Sequence, residues 1–297
     1  MNDGPVLNSA PTPDKLGILL RVGLFVVIGW IGMIFIPVLL LPVAGLMAAS
    51  ALSVFAAAAL ANTIVVRIYE RGRLSDLGLG WASTSGREFL TGLGLGGGGA
   101  LAIVVVPLAL GLVRFTAAPG VEHRWAALAF VSVTLLFGAM GEEMLFHGYA
   151  FQLLIRWLGS FATILPAGVL FGLAHAGNQN ATPLGVFNTV IWGVLLGFAY
   201  ARTGALWMPI GLHFGWNVVL PLFGVNLSGF TMGVIGYSLS WRVGAGEAWA
   251  RQFTWWSGGE YGPEGGIAAT LVAAAVFFFV FRLTPEENEG ASRDVVA

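Results

Sequence analysis

Long apolar runs, cut by short polar joints, dominate the chain. Between Arg21 and Arg67 no charged side chain occurs. A helix needs about 20 apolar residues to cross the hydrocarbon of a bilayer, so this stretch predicts two crossings. Pro37 and Pro42 punctuate it and place the turn near 41–45. Further apolar runs lie at 89–112, 125–145, 161–176, 184–201, 205–223 and 266–281. Backbone groups in hydrocarbon must be satisfied within the segment, which makes these runs helices. They are too long and unbroken for the ~10-residue alternating strands of a membrane barrel. The pattern predicts an all-α fold, a polytopic integral membrane bundle of about eight transmembrane helices.

The polar joints divide the chain. Residues 1–15 form a polar, Pro-rich cytoplasmic tail without the basic start and nearby cleavage site of a signal peptide. Residues 16–66 hold two N-terminal spans, 67–87 a basic link, and 88–283 a six-helix core. Residues 284–297 form a second polar tail. Within the core, 224–265 carries Arg242, Glu247, Arg251, Glu260 and Glu264 among aromatics. It reads as an extracytoplasmic loop with an interfacial or re-entrant segment. With the N-terminus in the cytoplasm, ten of the 14 Lys and Arg residues fall inside and four outside. That bias puts both termini in the cytoplasm of a multi-pass protein of the cell, or inner, membrane. Trp207, Trp216, Trp241, Trp249, Trp255 and Trp256 cluster late, in part as interfacial anchors.

Composition agrees with a lipid solvent. Hydrophobic residues make up 57% of 297 residues and charged residues 10%, with a mean hydropathy of +0.83. Soluble domains carry about a quarter charged residues. A net charge of −1 without a basic stripe argues against nucleic acid as a partner. The absence of Cys excludes disulfides, thiolate zinc sites and Cys nucleophiles.

Candidate chemistry is found by asking which ionisable groups lie inside apolar runs, where they are costly. Two acids qualify, Glu142 and Glu143, both in FGAMGEEMLFHGYAF. Three of the four His also qualify: His147, His175 and His213. The fourth, His123, sits between Glu122 and Arg124 in a loop. Glu143 and His147 are four residues apart and share a helix face, as do Phe171 and His175, and His213 and Asn217. Glu142 points ~100° away from Glu143, so the two acids need different partners. Three helices each offer a polar edge to one interior. A carboxylate with two imidazoles is suited to activating water, with the imidazoles or an amide holding the developing oxyanion. Two other readings stay open on these grounds: polar groups that merely join helices, and a proton relay of a transporter.

Other signals point elsewhere. HExxH is absent, although His175, His213 and Glu142 from separate helices leave zinc open. No Asp lies in a span, which excludes a paired aspartyl site. Lys15 is the only Lys and lies in the tail. Ser228 reads as a loop turn, and Arg156 with Trp157 as a membrane edge. The formal GxGxxG at Gly92, Gly94 and Gly97 has no preceding strand and reads as small residues that admit close helix approach. Asn178, Gln179, Asn180 and Asn188 fit either a pocket lining or a solvated turn.

GEEMLFHGYAFQ, FGLAHAGNQNAT and LWMPIGLHFGWN resemble the three signature segments of the CPBP intramembrane proteases, the CAAX-protease and bacteriocin-processing (ABI) family. The family pattern is EExxxR, FxxxH and HxxxN on successive membrane helices. SGGEYGPEGG resembles a late segment of a bacterial branch. The resemblance covers roughly 67–283 and implies an intramembrane endopeptidase acting on membrane-associated or lipidated peptides. It implies Glu142 as the base that activates water, with His175, His213 and Asn217 holding the water and oxyanion. Glu143, His147 and Phe171 would support them. One departure is His147, where the family has Arg. The reading expects no required cofactor, with zinc on His175, His213 and Glu142 as the alternative. Membrane lipid is an implied partner, and oligomeric state is not legible. The rival functions are a catalytically inactive membrane scaffold and a proton-coupled transporter.

Overall fold

The computed structural model describes residues 13–117, 125–234, 236–241 and 254–283. The tails up to residue 12 and from 284, His123 with its neighbours, and Arg242, Glu247, Trp249 and Arg251 lie outside the described residues. The first helix, α1 (Lys15–Val65), starts where the Asp14 carboxylate accepts from the Gly17 N–H at 2.8 Å. It is interrupted at Gly45, which has φ 72° and ψ 168°, a conformation open to glycine.

Contacts across α1 are symmetric about that residue. A Cβ on Gly32 would lie 2.7 Å from the Ala57 Cβ, and one on Gly29 would lie 4.0 Å from the Ala61 Cβ. The Arg21 guanidinium pairs with Glu70. In a straight helix those two residues would be ~70 Å apart. α1 is therefore a helical hairpin that turns at Gly45, at the edge of the 41–45 turn expected from the prolines. A π-helical turn through Val66–Glu70 and a 3-10 turn at Leu74–Leu77 follow.

The other α-helices among the described residues are α2 (Ser85–Ala109), α3 (Trp125–His147), α4 (Tyr149–Leu158), α5 (Ser160–Ala174), α6 (Pro183–Thr203), α7 (Trp207–Leu222), the single turn α8 (Thr254–Ser257) and α9 (Ile267–Arg282). Four helical stretches, 15–70, 85–109, 125–158 and 183–203, are long and apolar enough to cross a membrane. Helices α5 and α9 are shorter and apolar. Large apolar side chains such as Leu39, Val43, Trp125 and Phe161 stay exposed, as suits a surface solvated by lipid. This is a helical membrane protein.

Two features were not anticipated. Residues 149–158 form a separate helix, because Gly148 ends α3. A Cβ at Gly148 would meet the Met144 carbonyl at 2.2 Å and Asn62 Oδ1 at 2.4 Å. Strands β1 (Val113–Ala117) and β2 (Tyr237–Trp241) pair antiparallel, Val113 opposite Trp241 and Ala117 opposite Tyr237. At five residues each they carry too little alternation to stand out beside the apolar runs.

Close backbone approaches position the elements that bear the polar residues. Gly141, beside the acid pair, lies against the second arm of α1, where a Cβ would be 2.5 Å from the Phe55 nitrogen. Buried Asn62 on that arm donates to the Met144 and Ala58 carbonyls and accepts from the Tyr149 N–H. It thus satisfies backbone groups where α3 gives way to α4. Helices α2 and α7 touch through glycines on both sides. A Cβ on Gly96 would lie 1.9 Å from the Leu212 carbonyl oxygen, and one on Gly211 would lie 2.1 Å from that of Phe89. The glycine-rich run is a packing face, as its sequence context suggested.

Gly94 of the same run faces open space. We expect Gly96→Ala to destabilise the protein by ~1–3 kcal/mol, the usual cost of overpacking. Gly94→Ala should be neutral or stabilising by up to ~1 kcal/mol through helix propensity. Thermal unfolding of the two variants in one detergent checks the contrast.

Candidate active site

Helices α3, α5 and α7 bring the polar patches together. Glu143 is fully buried and is held by two imidazoles. His147 Nδ1 lies 2.7 Å from its Oε2, and His213 Nδ1 lies 2.8 Å from its Oε1. A carboxylate only accepts, so each Nδ1 carries the proton. Glu142, one residue earlier, turns toward a cavity with its side chain 26% exposed. Its Oε2 lies 3.6 Å from His175 Nε2 and 3.9 Å from His213 Nε2. Both distances exceed a hydrogen bond, and this buried oxygen has no hydrogen-bond partner among the described residues. The acids do face different ways, but they share His213, which offers one ring nitrogen to each.

Phe171 builds the wall behind the imidazoles. Its carbonyl lies 2.7 Å from His175 Nδ1, which must therefore be the protonated nitrogen. Its ring stands 4.7 Å from the His175 ring and 5.9 Å from the His213 ring. In both imidazoles the outer nitrogen, Nε2, is left for the cavity. As a neutral ring it accepts a hydrogen bond, and as an imidazolium it donates one. A single water within ~2.8–3.0 Å of two atoms set 3.6–3.9 Å apart is geometrically admissible. Asn217 lies one turn beyond His213 on α7 and lines the same cavity.

That cavity holds about 590 Å³. Met33, Leu46 and Met47 of the α1 hairpin give it an apolar side. Asn178, Ser228 and Thr231 contribute polar groups. Of the four amides that read as either lining or turn, Asn178 lines the cavity, while Gln179 and Asn180 are exposed. Asn188 is buried and donates to the Glu264 and Gly266 carbonyls at 2.8 Å. Trp216 is a buried ring of the cavity wall, 4.5 Å from Trp192 centroid to centroid. It therefore does not anchor at the interface, as its place in the late Trp cluster had suggested.

Sequence reading missed one acid. Glu264 lies in a 3-10 turn before α9, is 8% exposed and lines the cavity. Its carboxylate accepts from Trp216 Nε1 at 3.2 Å, Ser228 Oγ at 3.2 Å and the Ser228 backbone N–H. Burial pushes this carboxyl up from its ordinary value, against the lowering effect of the Ser228 and Trp216 bonds. Two signals pointed at its segment without singling out the acid: the resemblance of SGGEYGPEGG to a late bacterial-branch segment, and a glycine spacing that marks a tightly wound stretch rather than a span.

Residues 124–219, about a third of the chain, match the family model described as Type II CAAX prenyl endopeptidase Rce1-like. The matched stretch runs from the start of α3 through Asn217. Over this stretch the chain is similar to type II CAAX prenyl endopeptidases, in keeping with the CPBP resemblance of its three motifs. No curated protein and no solved structure matches it. The match supports a membrane-embedded protease, and it contains all three polar patches. Glu264 and the α1 hairpin lie outside it.

At the position of the CPBP arginine, His147 still reaches Glu143. Its Nε2 has no hydrogen-bond partner among the described residues. It is closed in by Phe151, ring to ring at 4.9 Å, and by Gly197, whose Cβ would stand 3.3 Å away. The imidazole thus makes one bond where a guanidinium fork could make two.

Zinc, if held here, would be met by Glu142, His175 and His213. Both Nε2 atoms are free, and both Nδ1 atoms are held by acceptors, as second contacts around zinc usually require. Tetrahedral zinc at ~2.0–2.1 Å from each ligand would bring the donor atoms to ~3.3–3.4 Å of one another. The observed 3.6 and 3.9 Å would have to contract. Among the described residues no group of three His, Asp or Glu side chains has a metal-holding arrangement.

The two acids should separate by stability. Glu143→Ala strips two buried imidazoles of their acceptor and should cost roughly 3 kcal/mol or more, since hydrogen bonds to a charged group are worth ~1.5–3 kcal/mol each. Glu142→Ala should change stability by less than ~1 kcal/mol. Thermal denaturation of both variants beside the parent protein measures the difference.

Proposed function

We propose that the protein is an intramembrane endopeptidase that hydrolyses peptide bonds of membrane-associated or lipidated substrates with a water activated by Glu142. The observation that carries the reading is the unpartnered Glu142 Oε2, facing His175 Nε2 and His213 Nε2 across a gap that one water can bridge. In the proposed reaction Glu142 takes a proton from that water as its oxygen bonds to the scissile carbonyl carbon. The oxyanion is met by the Asn217 amide and by whichever imidazole carries its Nε2 proton. Glu142 then returns the proton to the departing amine nitrogen as the C–N bond breaks. Glu143 keeps the His213 ring oriented and presents its Nε2 to the cavity. His147 and the Phe171 carbonyl give the same support to Glu143 and His175.

The preferred reaction needs no metal. If zinc is held by Glu142, His175 and His213, it supplies Lewis-acid polarisation of the water. The ligating Glu142 would then be lost as a base. Glu143 could not replace it, since both its oxygens are bound by imidazoles.

The wider reading is a bundle of about eight crossings. The hairpin arms of α1 with α2, α3, α5, α6, α7 and α9 account for that number. The division proposed is the N-terminal hairpin, the basic link at 67–87 and a six-helix core, with polar tails at both ends. The Lys/Arg bias supports both ends in the cytoplasm and a place in the cell membrane.

Purified protein, tested on a membrane-bound peptide that it cleaves, should lose at least ~10²-fold in kcat on Glu142→Gln while remaining folded. His213→Ala should lose a similar factor. Full proteolysis by both variants would overturn the assignment. Solute flux without a peptide product would favour a transporter, and partner binding unchanged by either substitution would favour a scaffold. Activity should survive a strong chelator; loss that zinc restores would move the three side chains to a metal role.

A further inference from the structure

Glu264 is the third carboxylate of the cavity, and nothing in the proposed chemistry uses it. It is not a solvated loop acid. Gly262 just before it has φ 98°, and a Cβ there would lie 2.2 Å from the Asn226 carbonyl oxygen. The turn is therefore pressed onto the 224–230 loop. Asn226 Nδ2 returns a bond to the Glu260 carbonyl, and the Gly229 N–H donates to that of Tyr261. On the other side Asn188 of α6 holds the Glu264 and Gly266 carbonyls. A segment fixed at this many points presents its carboxylate in one place.

What the carboxylate holds is close to the reacting groups. Trp216 stands between His213 and Asn217 on α7, and its indole N–H is bound by Glu264 Oε1. Ser228 gives Glu264 both its backbone N–H and its hydroxyl, and adopts φ +49° to do so. Non-glycine residues rarely take that conformation, so the turn is held against a local cost. The Gly229 that follows lies against the Gln179 carbonyl, where a Cβ would be 1.8 Å away. Through it the same turn braces the 175–182 loop that begins at His175.

We propose that Glu264 is a positioning residue for hydrolysis: it ties Trp216 of α7 to the 224–230 turn and thereby holds His213, Asn217 and His175 at their working distances from Glu142. This inference rests on the protease reading. Glu264 itself touches none of the reacting atoms in that scheme. Its removal should act on the rate of the chemical step rather than on substrate affinity.

The test uses the full chain in detergent or nanodiscs, with the membrane-bound peptide as substrate. Glu264→Ala and Trp216→Phe should each lower kcat by ~10-fold or more, the scale of a small misplacement of reacting groups, with KM within ~3-fold. The double variant should be no worse than the worse single one, because both break the same tie. Glu264→Gln, which keeps an acceptor, should recover part of the rate. If Glu264→Ala does not fold, Glu264→Gln and Trp216→Phe alone and combined carry the same comparison. Unchanged kcat in these variants, or losses that multiply in the double variant, would overturn the proposal.

A second readout does not need activity. In protein labelled with 5-fluorotryptophan, the Trp216 fluorine signal, identified by its absence in Trp216→Phe, should shift in Glu264→Gln. An unmoved signal would overturn the tie. If Glu142→Gln retains full cleavage, the protease site is wrong while the fluorine shift still judges the tie. If Glu142→Gln abolishes cleavage and Glu264→Ala does not, only the positioning role falls.

Discussion

Two carboxylates on consecutive helical positions cannot face the same way, and the site is built on that constraint. The ~100° step between Glu142 and Glu143 sends one acid into a dry interior and the other to a cavity. Burying a carboxylate without partners is costly, and Glu143 is buried completely. It persists because His147 and His213 both donate to it. That arrangement fixes the His213 ring, so its second nitrogen can only point toward Glu142. One buried, satisfied acid thus orders the ring that serves the unsatisfied one.

Such order demands that three helices meet closely, and missing side chains make that meeting feasible. Gly141 lets α3 approach the second arm of α1, while Gly211 and Gly215 let α7 approach α2. In lipid there is little hydrophobic drive between helices, so contact at short range and internal hydrogen bonds carry the association. Asn62 adds the latter, spending its amide on backbone groups at the α3–α4 break. The large apolar residues that a soluble protein would bury instead face outward.

Much of this was legible in the chain. The apolar runs predicted six of the helices to within a few residues of their ends, because run length in a membrane protein is set by bilayer thickness. The hairpin turn was legible from Pro37 and Pro42, although Gly45 takes the non-helical conformation. Spacing by four put Glu143 with His147 and His213 with Asn217, since that relation is local. The sharing of His213 by both acids was not legible, because it depends on how α3 and α7 cross. Helix α4 was hidden because Tyr149–Leu158 falls between the apolar runs that end at 145 and resume at 161, and only the crowding at Gly148 separates it from α3.

Glu264 exposes the limit of searching for ionisable groups inside apolar runs. That search finds acids that helices carry into the membrane interior, and it passes over acids that a connector folds back onto the site. The glycines around Glu264 make the return feasible: a Cβ on Gly262 would lie 2.2 Å from the Asn226 carbonyl oxygen, and one on Gly266 would lie 2.0 Å from that of Trp256. A short apolar helix, α9, then fixes the turn from its far end. The family match stops at residue 219, so the shared segment supplies the acid pair and imidazoles without this wall of the cavity. A site whose reacting groups come from one contiguous segment can thus be completed by an acid 45 residues beyond its end, at Glu264, provided the connector that carries it has the backbone freedom to reach back.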